Sequence, residues 1–299
     1  MMAKKNKGKK GNSTGGRKGM SQMGLIWLRF RKNKLAVIGL VGIVIMILIC
    51  FTSPLYISWD RVVTQDLLIT NQSPSPQYPF GTDQFGRDLF ARVLRGGVYS
   101  LSSGFIVMMG ALILGLIFGS IAGYFGGVVD IVIMRLMDVF MSVPNLLMAM
   151  TLIVVFGQGI TSLWLALALS SFPALARTVR SAIMTTRSAE YVDAAHIYGA
   201  STAKILVKHI LPNCIGPVVI SATIMLGSTI LGIAGMGFLG IGIAAPTPEW
   251  GTILSEVKDV IRFYPYLGII PGTAIALSVI FVNFMGDGLR DALDPRMKK

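Results

Sequence analysis

This 299-residue sequence is poor in charge: 14% of its residues are Asp, Glu, Lys or Arg, where a soluble domain carries about a quarter. Acidic residues are scarcest, 14 against 27 Lys+Arg. Its two cysteines, Cys50 and Cys214, lie in or beside apolar runs, which leaves neither a disulfide framework nor a Cys/His zinc site. Both histidines, His196 and His209, fall in one polar segment. No apolar run therefore pairs a base with a nucleophile, as a membrane-embedded enzyme would require. No G-x-x-x-x-G-K-[ST] phosphate loop occurs, so the chain cannot itself cradle a nucleotide. A charged ring or a filter-like run of carbonyls, the marks of an ion channel, is equally missing.

What is abundant is apolar: 53% of residues are hydrophobic and the mean hydropathy is +0.68. A bilayer core of about 30 Å takes about 20 apolar residues in helix, because every backbone polar group must be satisfied within the segment. Six stretches qualify, roughly 35–51, 105–124, 133–156, 163–179, 215–234 and 266–285. The expected fold class is an all-α integral membrane protein of six transmembrane helices. The third stretch is the least regular, with Arg135 and Asp138 near its start and Pro144 within it. Arg135 is expected to snorkel at the interface. The first stretch is long for a signal-peptide core and is followed by TSPLYISWD without a small-residue cleavage pattern, so it is expected to remain as a span.

Lys and Arg placement sets the orientation. Residues 1–34 hold 11 of them, the segment between the fourth and fifth runs holds 5, and the C-terminal tail holds 4, against 6 on the opposite side. Both termini are expected in the cytoplasm. Residues 1–20, rich in Lys and Gly and poor in apolar residues, read as a disordered basic tail attracted to an anionic leaflet, and 21–34 as an interfacial segment. That tail lacks the interleaved aromatics of a nucleic-acid-binding face, so no nucleic-acid partner is expected. Residues 35–299 form the membrane domain, with an outer loop at 52–104 and a cytoplasmic loop at 188–213.

Gly115, Gly119 and Gly123 recur every fourth residue, a face on which another helix can approach closely. The fifth run and its exit (Gly227, Gly232, Gly235, Gly237, Gly240 and Gly242) are similarly rich, which fits either a helix curved around a pathway or tight packing. Met108, Met109, Met134, Met137, Met148 and Met150 read as gap-filling core rather than as metal ligands. No metal or other cofactor is expected.

The most informative stretch is SAEYVDAAHIYGASTAKILVKHILPN, Ser188 to Asn213. It reads as two short helices. Ser188 is the expected N-cap of the first, Glu190 lies in its first turn, and Gly199 ends it in a left-handed conformation. Ser201 caps the second and Pro212 ends it. Tyr191, Ala194, Ala195 and Tyr198 share a face of the first helix; Ile205, Leu206, His209 and Ile210 share one of the second. Such a segment is shaped either to be gripped by another protein or to lie on the membrane.

Asp193-Ala194-Ala195, three residues, Gly199, nine residues, then His209-Ile210-Leu211-Pro212 resembles the EAA loop of permease subunits in binding-protein-dependent ABC importers. The family pattern is E-A-A, three residues, G, nine residues, I-x-L-P. Asp193 and His209 replace its Glu and its Ile, which leaves Glu190 and Asp193 as two candidates for the loop's functional carboxylate. RFRKNKLAVIGL (29–40), YPFGTDQFGRDLFARVLRGG (78–97), PTPEWG (246–251) and GDGLRDALDPR (286–296) are similar to one branch, the second permease of dipeptide, oligopeptide and nickel importers.

The resemblance implies a type I importer permease fold with cytoplasmic coupling helices and no catalytic activity of its own. It implies a second homologous permease, two cytoplasmic ATPase subunits, an extracytoplasmic binding protein and a bacterial or archaeal cytoplasmic membrane. Peptide is the first reading of the cargo and nickel or a metal chelate the alternative. Glu190, Asp193, Ala194, Ala195, Gly199, His209, Leu211 and Pro212 become the candidate ATPase-coupling residues. In the outer loop, Asp83 with Arg87 and Asp88 with Arg92 are opposite charges four apart and read as an exposed helix. Asp83, Arg87 and Asp88 are the candidate residues for seating the binding protein. Trp250 reads as an interfacial anchor, and the Arg and Lys of the C-terminal tail as headgroup contacts.

Overall fold

A computed structural model describes residues 22–293. The basic tail and the last basic residues, Arg296, Lys298 and Lys299, lie outside them. Among the described residues there are helices and no strands, with one isolated bridge between Thr82 and Asp88. Five helices are long and apolar enough to cross a membrane: α2 (Lys34–Tyr56), α4 (Leu89–Phe125), α7 (Ile160–Thr186), α10 (Leu211–Phe238) and α12 (Tyr266–Leu293). The sixth expected span is a broken pair, α5 (Gly127–Met141) and α6 (Asn145–Phe156), bent by 91°. The break falls at Pro144, whose fixed φ and missing N–H disfavour continuing the helix.

Shorter helices flank this bundle: α1 (Gln22–Lys32), α3 (Trp59–Val63), α8 (Glu190–Ile197), α9 (Thr202–Ile205) and α11 (Trp250–Val257). The chain's course groups them at two ends. α1, α8, α9 and the end of α12 lie where the charge count puts the cytoplasm; α3 and α11 lie opposite. Asn33 ties the first group together. Its Oδ1 accepts from the N–H groups of Leu35 and Ala36, capping α2, while its Nδ2 donates to Asp291 of α12 at 3.0 Å.

At 1.5 Å per residue the 37-residue α4 is about 55 Å long, well beyond a bilayer core. The helix of the second span therefore begins at Leu89, far ahead of the expected 105. Its glycine face is real. A Cβ on Gly119 would lie 2.5 Å from the Ala176 carbonyl of α7, and Cβ atoms on Gly115 and Gly123 would crowd Leu175 and the Arg180 carbonyl. α7 answers with Leu175, Ala176, Val179 and Ile183, all buried against α4. Of the glycines around the fifth span, Gly227 and Gly237 are sites of tight packing, against Asn283 and against α11, and Gly240 makes the exit turn at φ +78°.

The segment at the loop end and the buried charges at the other

α7 ends at Thr186, and the next residue locks the corner. Arg187 Nη1 donates to the carbonyls of Gly123 at 3.1 Å and Tyr124 at 2.9 Å, the open C-terminus of α4. The cap of α8 is then Ala189 rather than the expected Ser188, whose hydroxyl instead donates back to the Thr185 carbonyl at 3.3 Å. Glu190 and Asp193 occupy the first turn of α8, the favourable end of its dipole.

Gly199 stops α8 as expected, at φ +74°. Its N–H donates to the His196 carbonyl at 2.9 Å and the N–H of Ala200 to that of Ala195 at 3.1 Å. Those are the paired bonds of a Schellman C-cap. The inward anchor is Val192, 1% exposed, set with Ile205, Ile210 and Cys214 against Val179 and Ile183 of α7. Ala195 and Ala200 line the same cluster.

The expected face of α8 divides: Ala195 is half-buried, while Tyr191, Ala194 and Tyr198 point outward. Glu190, Asp193 and Gly199 are exposed with them. Ile197 and Tyr198 are 84% and 90% exposed, large side chains that none of the described residues covers. His196 reaches the Tyr124 hydroxyl at 3.3 Å.

Pro212 does not end the second helix. α9 passes through a π turn, Leu206–Ile210, straight into α10, and the wider turn accommodates a proline that has no N–H to give. Leu211 N–H donates to the Leu206 carbonyl, and Asn213 Nδ2 to the His209 carbonyl at 2.7 Å. His209 and Leu211 are half-buried and Pro212 is exposed. Ser201 sits at the cap position of α9 without a side-chain bond.

The opposite end departs further from expectation. Asp83, Arg87 and Asp88 are 1%, 2% and 3% exposed, and they form no helix. They lie in a turn closed by the Thr82–Asp88 bridge, with Gly86 at φ +71° where a Cβ would run into the Asp66 backbone. Arg87 Nε meets Asp83 Oδ2 at 2.7 Å, and its Nη2 meets Glu256 Oε2 at 2.7 Å. Arg92, fully buried, meets the same Glu256 oxygen at 2.6 Å. Asp88 pairs with Arg61 at 2.6 Å, not with Arg92, and its Oδ1 caps α4 through the N–H groups of Phe90 and Ala91. The exposed helix of charge pairs is thus replaced by a buried cluster that fastens the outer loop to α11.

Nothing near Arg87 in sequence marks Glu256, 169 residues away, as its partner. Trp250 is likewise core, 1% exposed, its Nε1 donating to the Val93 carbonyl at 2.9 Å, and not an interfacial anchor. Beside it, Glu249 caps α11 through the Thr252 N–H at 2.9 Å and accepts from the Ser100 hydroxyl at 2.9 Å. It is 1% exposed, and burial pushes its carboxyl above the usual carboxylate range.

Comparison with known proteins agrees with this architecture. Residues 115–299 match the family described as binding-protein-dependent transport system inner membrane component, and residues 21–74 match the N-terminal TM domain of oligopeptide transport permease C. The dipeptide transport system permease protein DppC of Alkalihalophilus pseudofirmus is 41% identical over 90% of this chain and 88% of its own length. The oligopeptide transport system permease protein OppC of Bacillus subtilis is 37% identical over 91% and 89%. The glutathione transport system permease protein GsiD of Escherichia coli is 38% identical over 91% and 90%. In fold, the chain resembles the inward-facing MetNI methionine ABC transporter, with a TM-score of 0.56 at 20% identity over 68% of this chain and 96% of that one. The chain belongs to the binding-protein-dependent transport system inner membrane components: it is a multi-pass, non-catalytic permease subunit of an ABC importer.

Proposed function

We propose that this permease carries peptides of two to several residues into the cell. The observation that carries the reading is continuous similarity, along nine-tenths of the chain, to permeases named for dipeptides, oligopeptides and glutathione, itself a tripeptide. A second homologous permease, two cytoplasmic ATPase subunits and an extracytoplasmic binding protein complete the transporter, and both termini are cytoplasmic.

The α8–α9 segment is the coupling element. Support comes from its construction: Val192, Ile205 and Ile210 root it in the bundle, while Ile197 and Tyr198 are left uncovered beside Glu190, Asp193 and Ala194. Large apolar groups with no intramolecular cover mark a contact surface. An ATPase that closes on ATP binds one orientation of this segment better than the other, and so shifts the permease pair between inward-facing and outward-facing states. At the other end, the binding protein rests on the outer loop whose shape Asp83, Arg87 and Asp88 hold from inside.

The deciding experiment is reconstitution of the complete transporter in vesicles, with ATP-dependent uptake of labelled di- and tripeptides. Saturable uptake that requires ATP and the binding protein is expected; uptake of another solute class with none of peptide would refute the substrate reading.

A further inference from the structure

α7 has two unlike faces. One is the apolar face seated on the glycines of α4. The other presents Ser171, Ala174, Thr178, Ser181 and Thr185, three or four residues apart, together with Ser170, to two adjoining cavities of about 430 and 690 Å³ that share Met141 and Ala174. The smaller cavity sits at the break between α5 and α6, where Asn145 donates to Ser171 Oγ at 3.1 Å. α10 closes its far wall with Ser228 and Thr229. The larger continues toward the α8–α9 end, reaching Asn213.

At the depth of Ser170, Ser171, Ser228 and Thr229, which fall within the spans, a helix face turned to lipid would be apolar; polar groups within a bilayer face the bundle interior or a water-filled cavity. Among the described residues lining either cavity, Arg177 is the one with a charged side chain, and Asp138 holds it at 2.6 Å. The rest of the polar lining is neutral, and much of its donor capacity is already used. Ser170 donates to the Leu167 carbonyl, Thr178 to Ala174, Thr185 to Ser181 and Ser228 to Met225, at 2.8 to 3.1 Å. A hydroxyl so engaged offers its surroundings oxygen lone pairs. A row of neutral acceptors binds N–H donors weakly and selects no particular side chain.

We propose that this groove is the chain's half of the translocation passage, and that its hydroxyls receive the backbone N–H groups and terminal ammonium of a peptide in transit. The location rests on the groove itself; the ligand rests on the peptide reading above.

The test uses the assembled transporter in inside-out vesicles, carrying Cys50→Ser and Cys214→Ser. Single cysteines are introduced by Ser171→Cys, Ser228→Cys and, on the outward face of α2, Leu48→Cys, which is 57% exposed in this chain. Each is treated with the membrane-impermeant reagent (2-trimethylammonium)ethyl methanethiosulfonate. The two groove positions are expected to react about 10-fold faster or more than Leu48→Cys, since modification needs a hydrated thiolate. Trialanine, supplied with its binding protein and ATP on the appropriate sides, is expected to slow them. Groove cysteines no faster than the α2 control would overturn the passage, whatever the cargo. Fast modification that trialanine leaves unchanged would overturn the peptide assignment and leave the groove standing. Co-purification of each variant with its partner subunits verifies that assembled complexes are compared.

Discussion

Gly119 of α4 and Ala176 of α7 meet backbone to backbone: a single added carbon on Gly119 would sit 2.5 Å from the Ala176 carbonyl oxygen. Since both are main-chain neighbours in rigid helices, neither can give way cheaply. Gly119→Ala should cost about 1–3 kcal/mol by overpacking, whereas Gly216→Ala, where a Cβ meets nothing within 4 Å, should be close to neutral. Thermal unfolding of the two variants in detergent, followed by the loss of the monodisperse peak, checks the contrast. Equal losses would mean that the glycine face does not set the α4–α7 distance.

Glu256 is shared by Arg87 and Arg92, so its removal leaves two buried cations with the single carboxylate of Asp83 between them. Glu256→Ala should destabilise by about 3–5 kcal/mol, as expected when one member of a buried pair is deleted. Combining Glu256→Leu with Arg92→Leu should recover part of that loss. Protease resistance of the 57–88 loop in the purified protein is the readout, because this cluster is what holds the loop to α11.

Gly199 is required in its left-handed conformation, and Gly199→Val there should cost about 1–3 kcal/mol locally. α8 would be mis-set on Val192, and less ATPase should be recovered with the permease in pull-down. Tyr198→Asp, at a position 90% exposed, should lower ATPase recovery as well while leaving the permease's own thermal stability unchanged. Normal uptake and normal complex recovery in both variants would defeat the coupling role of α8.

Glu249 supplies a pH dependence. Its folded pKa is raised by burial above its unfolded value, so the folded state holds this proton more tightly than the unfolded chain does. The corresponding stability is fully present below the unfolded carboxylate range, about pH 4.3, and is lost as pH rises through the folded value. Glu249→Gln abolishes that titration. The wild-type protein should therefore lose more thermal stability than the variant as pH rises above the unfolded carboxylate value; identical slopes would contradict it.

The spans, the four-residue glycine repeat and the end of α8 at Gly199 were all legible in the sequence, because each depends on local periodicity or on one backbone angle. Two spacing rules failed where local pattern is degenerate. Asp83 and Arg87, four apart, suit a helix face and a tight turn equally well, and the residue that decides between them, Glu256, lies on another helix. Pro212 looked like a stop because proline cannot donate, yet a π turn just before it absorbs the defect and lets the helix run on. The hydroxyl row of α7 is hidden in the sequence for a related reason: its serines and threonines are separated by alanines and apolar residues, and become a row only when the other face is pinned to α4.

The continuity through that π turn has a mechanical meaning. From Thr202 to Phe238 the chain is one helical run of 37 residues, about 55 Å long at 1.5 Å per residue. Ser228 and Thr229 therefore stand on the same shaft as the exposed residues of α9. A twist applied by an ATPase at the near end would turn these hydroxyls in the groove, so that the stroke and the release of cargo share one moving part.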